Sequence, residues 1–320
     1  MIRRLTFAAS ATAAVTLVAG GAAASTPPAG DSPAPIGPHV VVHAMGETEV
    51  PADPQRVVVL DSSFLDSAVA LGLTPVGATE GFAGGGLPGY LPADVLEAVE
   101  IVGETNAPQL ESIAALEPDL IIGAKVRHEG LYDELSQIAP TVFSESSGGN
   151  WTEQVLLTGE AIGRPDDAQA LLDAFDERAA EVGEAIGASE LTATIVRFLP
   201  DETRLYGPGS FSGSVLTAVG FDLGDKDWNE YSMALISTEQ IELVDADVVF
   251  ATTYGSGETT RPQFEGLWET LDAVENRRQF DVEDAVWMTG IGVLGANLIL
   301  DDLETMLGDA AATTAPATTG

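Results

Sequence analysis

The chain has no cysteine. That excludes disulfides, thiolate metal sites, a Cys nucleophile and Fe–S ligation. It also excludes acylation at an N-terminal cysteine. Histidine is nearly as scarce, with His39, His43 and His128 the three present. A His-based metal or catalytic cluster is therefore not expected. His128-Glu129 is half of a zinc-protease motif whose second His is missing. No G-x-S-x-G elbow occurs. Positive charge is short as well: 13 Lys and Arg stand against 50 acids in 320 residues, a net charge of −37. Such a field repels phosphate and argues against nucleic acid or anionic lipid as a partner. Disorder does not follow, because 45% of residues are hydrophobic and can build a core.

The two ends read differently from the middle. Residues 1–25 have the pattern of an export signal: Arg3 and Arg4, an apolar Phe7 to Val18 stretch, then Ala22-Ala23-Ala24 before Ser25. The apolar run is short and rich in small residues, which disfavours a membrane anchor. Arg3-Arg4 could begin a twin-arginine signal, but the following residues fit that pattern poorly. Leu17-Val18-Ala19-Gly20-Gly21 resembles the end of a lipoprotein signal with Gly21 where the lipidated Cys belongs. Residues 26–44 begin rich in Pro and read as a flexible spacer. Residues 309–320 are low complexity and read as a disordered tail.

Between them, short apolar runs alternate with helical patterns, which predicts α/β layers. Strands are expected at 57–60, 120–122, 141–143, 194–198 and 248–251. Helices are expected at 62–71, 129–138 and 293–307. One segment is longer. From Asp166 to Ile186 apolar residues keep helical spacing, and Pro165, Asp166 and Asp167 suit a helix start. Such a helix is either a layer element or a strut between two lobes. An internal echo favours the strut. QLESIAALEPDLII at 109–122 and STEQIELVDADVVF at 237–250 align at a spacing of 128, matching Glu111 with Glu239 and Asp119 with Asp247. The chain is expected to hold an N-terminal lobe at 45–164, a connecting helix at 165–188 and a similar lobe at 189–308.

Four segments carry a resemblance: 51–78, 110–143, 196–221 and the closing Trp287 with ANLILDDL. On these, the chain resembles the substrate-binding proteins of ABC importers for iron–siderophore complexes, haem and cobalamin, and within them the iron–siderophore branch. The resemblance implies two α/β lobes joined by one long helix, with the ligand in the cleft between them. It implies a binder rather than an enzyme, and no cofactor. The expected ligand is a ferric siderophore whose iron is held by the chelator, with haem or cobalamin as alternatives. The expected partner is an ABC importer permease dimer, docked through Glu111 and Glu239, one per lobe. The binding protein itself is expected to be an exported monomer that does not insert in the membrane.

In α/β layers the ligand crevice lies at the carboxyl ends of the strands. Lys125 and Arg127 follow one strand run and Arg197 ends another. Guanidinium forks suit carboxylate, catecholate or hydroxamate oxygens. Against so acidic a background, an anionic chelate would need these three to make the cleft locally positive. Aromatic walls suit a bulky chelate, and Trp151, Tyr231 and Trp287 are the candidates, with Tyr254 near another loop. Trp268 reads as core. Of two G-x-G-x-x-G matches, the one at 84–89 opens no helix directly, and the one at 290–295 falls between a strand and a helix but is followed by a tail without the second strand a dinucleotide unit needs. A different class, a secreted α/β hydrolase, has only the abundance of carboxylates behind it.

Overall fold

The computed structural model describes residues 37–81, 85–255 and 259–308. The export signal, most of the spacer and the C-terminal tail lie outside the described residues. The first structured element begins earlier than the sequence suggests. β1 (His39–His43) and β2 (Gly46–Val50) form an antiparallel hairpin, so residues 39–43 are strand and not spacer. His39 and His43 are what spacer composition hides. The His39 ring bonds the Glu160 carbonyl at 2.7 Å, and the backbone N–H of Phe143 donates to His43 Nδ1 at 3.2 Å.

The N-terminal lobe is built on a six-stranded sheet of order β6-β5-β4-β3-β7-β8. Its strands are β3 (Val57–Val59), β4 (Gly77–Glu80), β5 (Glu100–Glu104), β6 (Ala107–Pro108), β7 (Leu120–Ala124) and β8 (Thr141–Ser144). All pairs are parallel except β5 with β6. Parallel strands covered on both faces are apolar throughout, which is why Val57–Val59 and Leu120–Ala124 are wholly buried. Helices α1 (Ser62–Ala70), α2 (Ala93–Ala98), α3 (Leu110–Ala115), α4 (Lys125–His128), α5 (Tyr132–Ile138) and α6 (Trp151–Ala161) complete the lobe.

Helix α7 (Pro165–Ile186) then runs 22 residues, about 33 Å at 1.5 Å per residue. Pro165 stands in its first turn, and Gly187 closes it in the left-handed conformation at φ 69°. Beyond it, the second lobe has a five-stranded sheet of order β11-β10-β9-β12-β13. The strands are β9 (Ala193–Phe198), β10 (Thr203–Tyr206), β11 (Met233–Ile236), β12 (Val248–Thr253) and β13 (Gln279–Asp281). Strands β9, β12 and β13 run parallel, and β10 and β11 are antiparallel additions. The helices are α8 (Phe211–Val219), α9 (Glu265–Trp268), α10 (Asp272–Glu275), α11 (Asp284–Trp287) and α12 (Val293–Leu303).

The repeated Asp has a visible reason. Asp119 accepts the amides of Gln55 and Arg56 just before β3, and Asp247 accepts the amide and hydroxyl of Thr192 just before β9. Each carboxylate pins the start of a central strand to the start of its neighbour, β7 or β12. Helix α7 is more than a strut. Its buried face, Ala168, Leu172, Phe175, Ala179 and Val182, belongs to one continuous apolar core with residues of α1, α6, α8 and α12 and of both sheets. No helix among the described residues is long and apolar enough to cross a membrane.

Candidate functional site

In each lobe the parallel strands end on one edge of the sheet, and residues at or beyond those ends in both lobes line a common cavity. Asp61 follows β3, Thr79 lies in β4 one residue before its end, Thr105 follows β5 and Arg127 follows β7. From the other lobe, Arg197 comes from β9, Thr252 to Gly255 from β12, and Asp281 to Ala285 from the end of β13. All of them line one cavity of about 720 Å³, with Gly85 to Gly89 along one wall. A second compartment of about 800 Å³ is lined by Asn106, Val126, Ser146 to Asn150, Tyr206, Glu230 and Tyr231, among others. Both compartments share Arg127, Met288 and Ile291. The cleft is therefore one space with two chambers.

Three guanidiniums enter the first chamber, and each has an acid beside it. Arg197 forms a two-pronged pair with Asp284, at 2.7 and 2.6 Å. Burial alone would lower the pKa of Arg197, but the Asp284 pair outweighs it and the net shift is upward. The Arg197 guanidinium also lies 5.1 Å from the ring centre of Tyr254. Arg127 donates from Nε to Ser147 at 3.0 Å and from Nη1 to Asn106 at 3.3 Å. Its Nε also lies 2.8 Å from Asp61 Oδ2. Since the single Nε–H points at Ser147, the Asp61 contact is electrostatic and that oxygen has no hydrogen-bond donor. Arg261 pairs with Asp281 at 2.5 Å and donates to Thr253.

His128 sets the turn that presents Arg127. The ring is fully buried, its Nδ1 accepts the Ala124 amide at 3.2 Å, and its Nε2 lies 2.8 Å from the Thr105 carbonyl. The amide fixes the tautomer, leaving Nε2 as donor. Burial pushes the His128 pKa down, which keeps the ring neutral.

The sequence expectations divide here. Arg127 and Arg197 do meet across the cleft, from opposite lobes. Tyr231 stands exposed at the rim of the second chamber. It rides on a turn whose next residue, Ser232, has φ 55° and accepts the Gly209 amide. Lys125 does not reach the chambers: its Nζ turns to Glu145 at 2.9 Å. Trp151 is a core residue, 2% exposed, packed edge-on against Phe175 and Phe211, with its indole N–H on Ser214. As the first residue of α6 it faces inward to α7 and α8. Trp287 backs the second chamber but is itself wholly buried, with its ring 4.7 Å from Phe250 and its N–H donated to Asp302. Trp268 packs on Phe198 at 5.6 Å, as a core residue should. Glu111 on α3 and Glu239 in the short 3₁₀ segment Thr238–Leu243 are both exposed at equivalent places before β7 and β12.

Nor does the cleft become positive. Arg127, Arg197 and Arg261 face Asp61, Asp281, Glu283 and Asp284 in the first chamber, and Glu230 lines the second. Sequence reasoning overlooked Arg261 and all of these acids. For Asp61 a signal existed, since it follows the strand run at 57–60 as Arg127 follows its own; for Asp284 none did, because β13 was not among the expected strands. For Arg261 there was none, because its loop carries no strand pattern. No group of three or more His, Asp or Glu residues able to hold a metal occurs among the described residues.

Two lobes bridged by a long helix, with directional donors from both lobes lining an open cleft between them, are the architecture of a solute-binding protein. The chain belongs to the periplasmic binding protein family, whose model matches residues 57–285. It is 38% identical over 281 residues to the probable siderophore-binding lipoprotein YfiY of Bacillus subtilis, covering 83% of this chain and 86% of that one. It is 33% identical over 267 residues to the achromobactin-binding periplasmic protein of Dickeya dadantii, covering 80% and 87%. Among solved structures, Staphylococcus aureus SirA complexed with staphyloferrin B superposes with a TM-score of 0.73 at 32% identity, covering 84% of this chain and 98% of that one. The family binds and releases solutes, so the chain is a binding protein and not a hydrolase.

Proposed function

We propose that this protein captures a ferric siderophore rich in carboxylate oxygens in the interlobe cleft and hands it to an ABC importer permease. The observation that carries the reading is the trio of acid-backed guanidiniums, Arg127, Arg197 and Arg261, drawn from both lobes onto one chamber. Guanidinium forks match carboxylate pairs in geometry as well as charge. Relatives named for siderophore, achromobactin and staphyloferrin B binding support the same reading. The iron is cargo held by the chelator. Because the acids offset the arginines, recognition rests on hydrogen-bond direction and shape rather than on attraction at a distance. Tyr231 supplies an aromatic edge in the second chamber, and Trp287 reports on it from behind.

The test is a titration of purified protein with ferric citrate, other ferric siderophores, haem and cobalamin, followed by tryptophan fluorescence. Ferric carboxylate chelates should bind with sub-micromolar Kd; failure of every ferric chelate at micromolar concentration overturns the reading. Glu111 and Glu239 are the proposed permease contacts, one on each lobe for a two-fold partner. The variant E111K/E239K should bind ligand as the wild type does yet lose uptake in cells. Normal uptake in that variant removes the assignment.

A further inference from the structure

One carboxylate outside the arginine trio is buried where an apolar residue would fit the core. Asp66, on the inner face of α1, is 0% exposed. Every contact made to it is a donation. The Leu294 amide reaches Oδ1 at 3.0 Å, the Gly295 amide reaches Oδ2 at 3.1 Å, and the Tyr90 hydroxyl reaches Oδ2 at 2.8 Å. An ionised carboxylate is acceptor-only and suits three donors. The two amides open α12, whose exposed N–H groups favour negative charge.

The glycines at 290–295 now have a role. A Cβ on Gly292, where φ is 150°, would lie 2.2 Å from Asp66 Oδ1, and one on Gly295 would lie 1.7 Å from the Gly290 carbonyl. The glycine turn lets the helix start close down on the carboxylate. A helix N-terminus of this kind commonly receives a phosphate; here a side chain of the same chain fills it.

Both groups that Asp66 holds continue directly into cleft walls. Tyr90 follows Gly85 to Gly89, which line the first chamber. The start of α12 follows Met288 and Ile291, which line both chambers. We propose that Asp66 is a positioning residue for ligand binding, bracing the wall at 85–90 and the wall at 288–292 against each other before any ligand arrives. Its link to affinity rests on the cleft being the ligand site; the bracing itself does not.

Burial pushes the Asp66 pKa up to about 7, against the opposing pull of the Leu294 amide, the Tyr90 hydroxyl and the other α12 amides. The neighbouring elements bring little other charge to it. Asp61 before α1 is engaged with Arg127, Glu80 at the end of β4 accepts the Gly86 amide, and α6 turns Gln154, Val155 and Thr158 inward.

The test is amide hydrogen exchange on the ligand-free full chain, for the wild type, Y90F and D66N, at pH 6 and pH 8. Y90F removes one hydroxyl and leaves the helix cap in place. It should speed exchange about tenfold in both 85–91 and 288–295, with α7 amides unchanged. Opening that returns Asp66 to water is favoured once the carboxylate ionises, so wild-type protection in 288–295 should fall between pH 6 and pH 8 after correction for intrinsic rates, and D66N should show no such fall. Unchanged exchange in both segments of Y90F, or a uniform acceleration through α7 as well, overturns the proposal. Ferric citrate titration then reads the consequence: Y90F should dissociate at least five times faster. If the wild type binds no ferric chelate, the functional reading fails, while the exchange data still decide the bracing.

Discussion

At Arg197, burial and charge pull in opposite directions. Its side chain is 11% exposed and that of Asp284 is 15% exposed. Removing one partner leaves the other charge buried and alone, at a cost of about 3–5 kcal/mol. R197A should therefore lower the urea midpoint markedly, whereas R197M/D284N should regain most of the loss. Ferric chelate affinity should fall at least tenfold in both. Affinity restored in the double variant would mean that the pair is structural only. Asp66 gives a second test at this scale. Its folded pKa lies near 7, above its ordinary value of 3.8. Between those values the folded state holds a proton that the unfolded state has lost, so stability falls as pH rises through the window. The loss is on the order of a few kcal/mol and is complete above about pH 7. Thermal melts from pH 5 to pH 8 should show this decline in the wild type and a flatter profile in D66N. A buried charge that costs stability at neutral pH fits a residue kept for the cleft. Arg127 and Arg197 were legible because their strands were. Trp151 and Lys125 were misplaced because sequence spacing does not say which way a helix start or a loop turns.

The informative element is α7. Its 22 residues were readable from spacing, Pro165 and the acid pair, since a helical face repeats every 3.6 residues whatever it packs on. What it packs on was not readable. Phe175 meets Trp151 edge-on at 5.2 Å, within a core that continues into α1, α6, α8 and α12. F175A should cost about 3–5 kcal/mol by leaving a cavity at this joint. Since the core spans both lobes, calorimetry should show one transition, shifted down as a whole. Two resolved transitions would mean that the lobes are joined by α7 alone. The same shared core limits hinge motion, so ligand-free and ligand-bound scattering profiles should differ little.

For the whole molecule the decisive quantity is the net charge of −37. An anionic ferric chelate is repelled until it reaches the arginines, and salt shortens the range of that repulsion to about 8 Å at 0.15 M. The association rate should therefore rise with ionic strength while the dissociation rate hardly changes, as read by stopped-flow fluorescence. An association rate that falls with salt would show that the cleft arginines, not the net charge, dominate the field the ligand meets.

The sequence by itself determined the layers. Apolar runs of strand length, a 22-residue amphipathic helix and the paired Glu and Asp of the echo are local patterns, and local patterns survive without knowing the neighbours. The resemblance carried by residues such as those at 110–143 reached the family for the same reason. Only the tertiary structure decided the site. Arg261 joins Arg127 and Arg197 because β12 and β13 bring residues far apart in the chain to one chamber. Asp66 meets Leu294 and Gly295 across 228 and 229 positions, a contact that no periodicity announces. Whether a carboxylate is a solvated surface charge or a buried brace depends on its dielectric surroundings, and those exist only once the chain has packed.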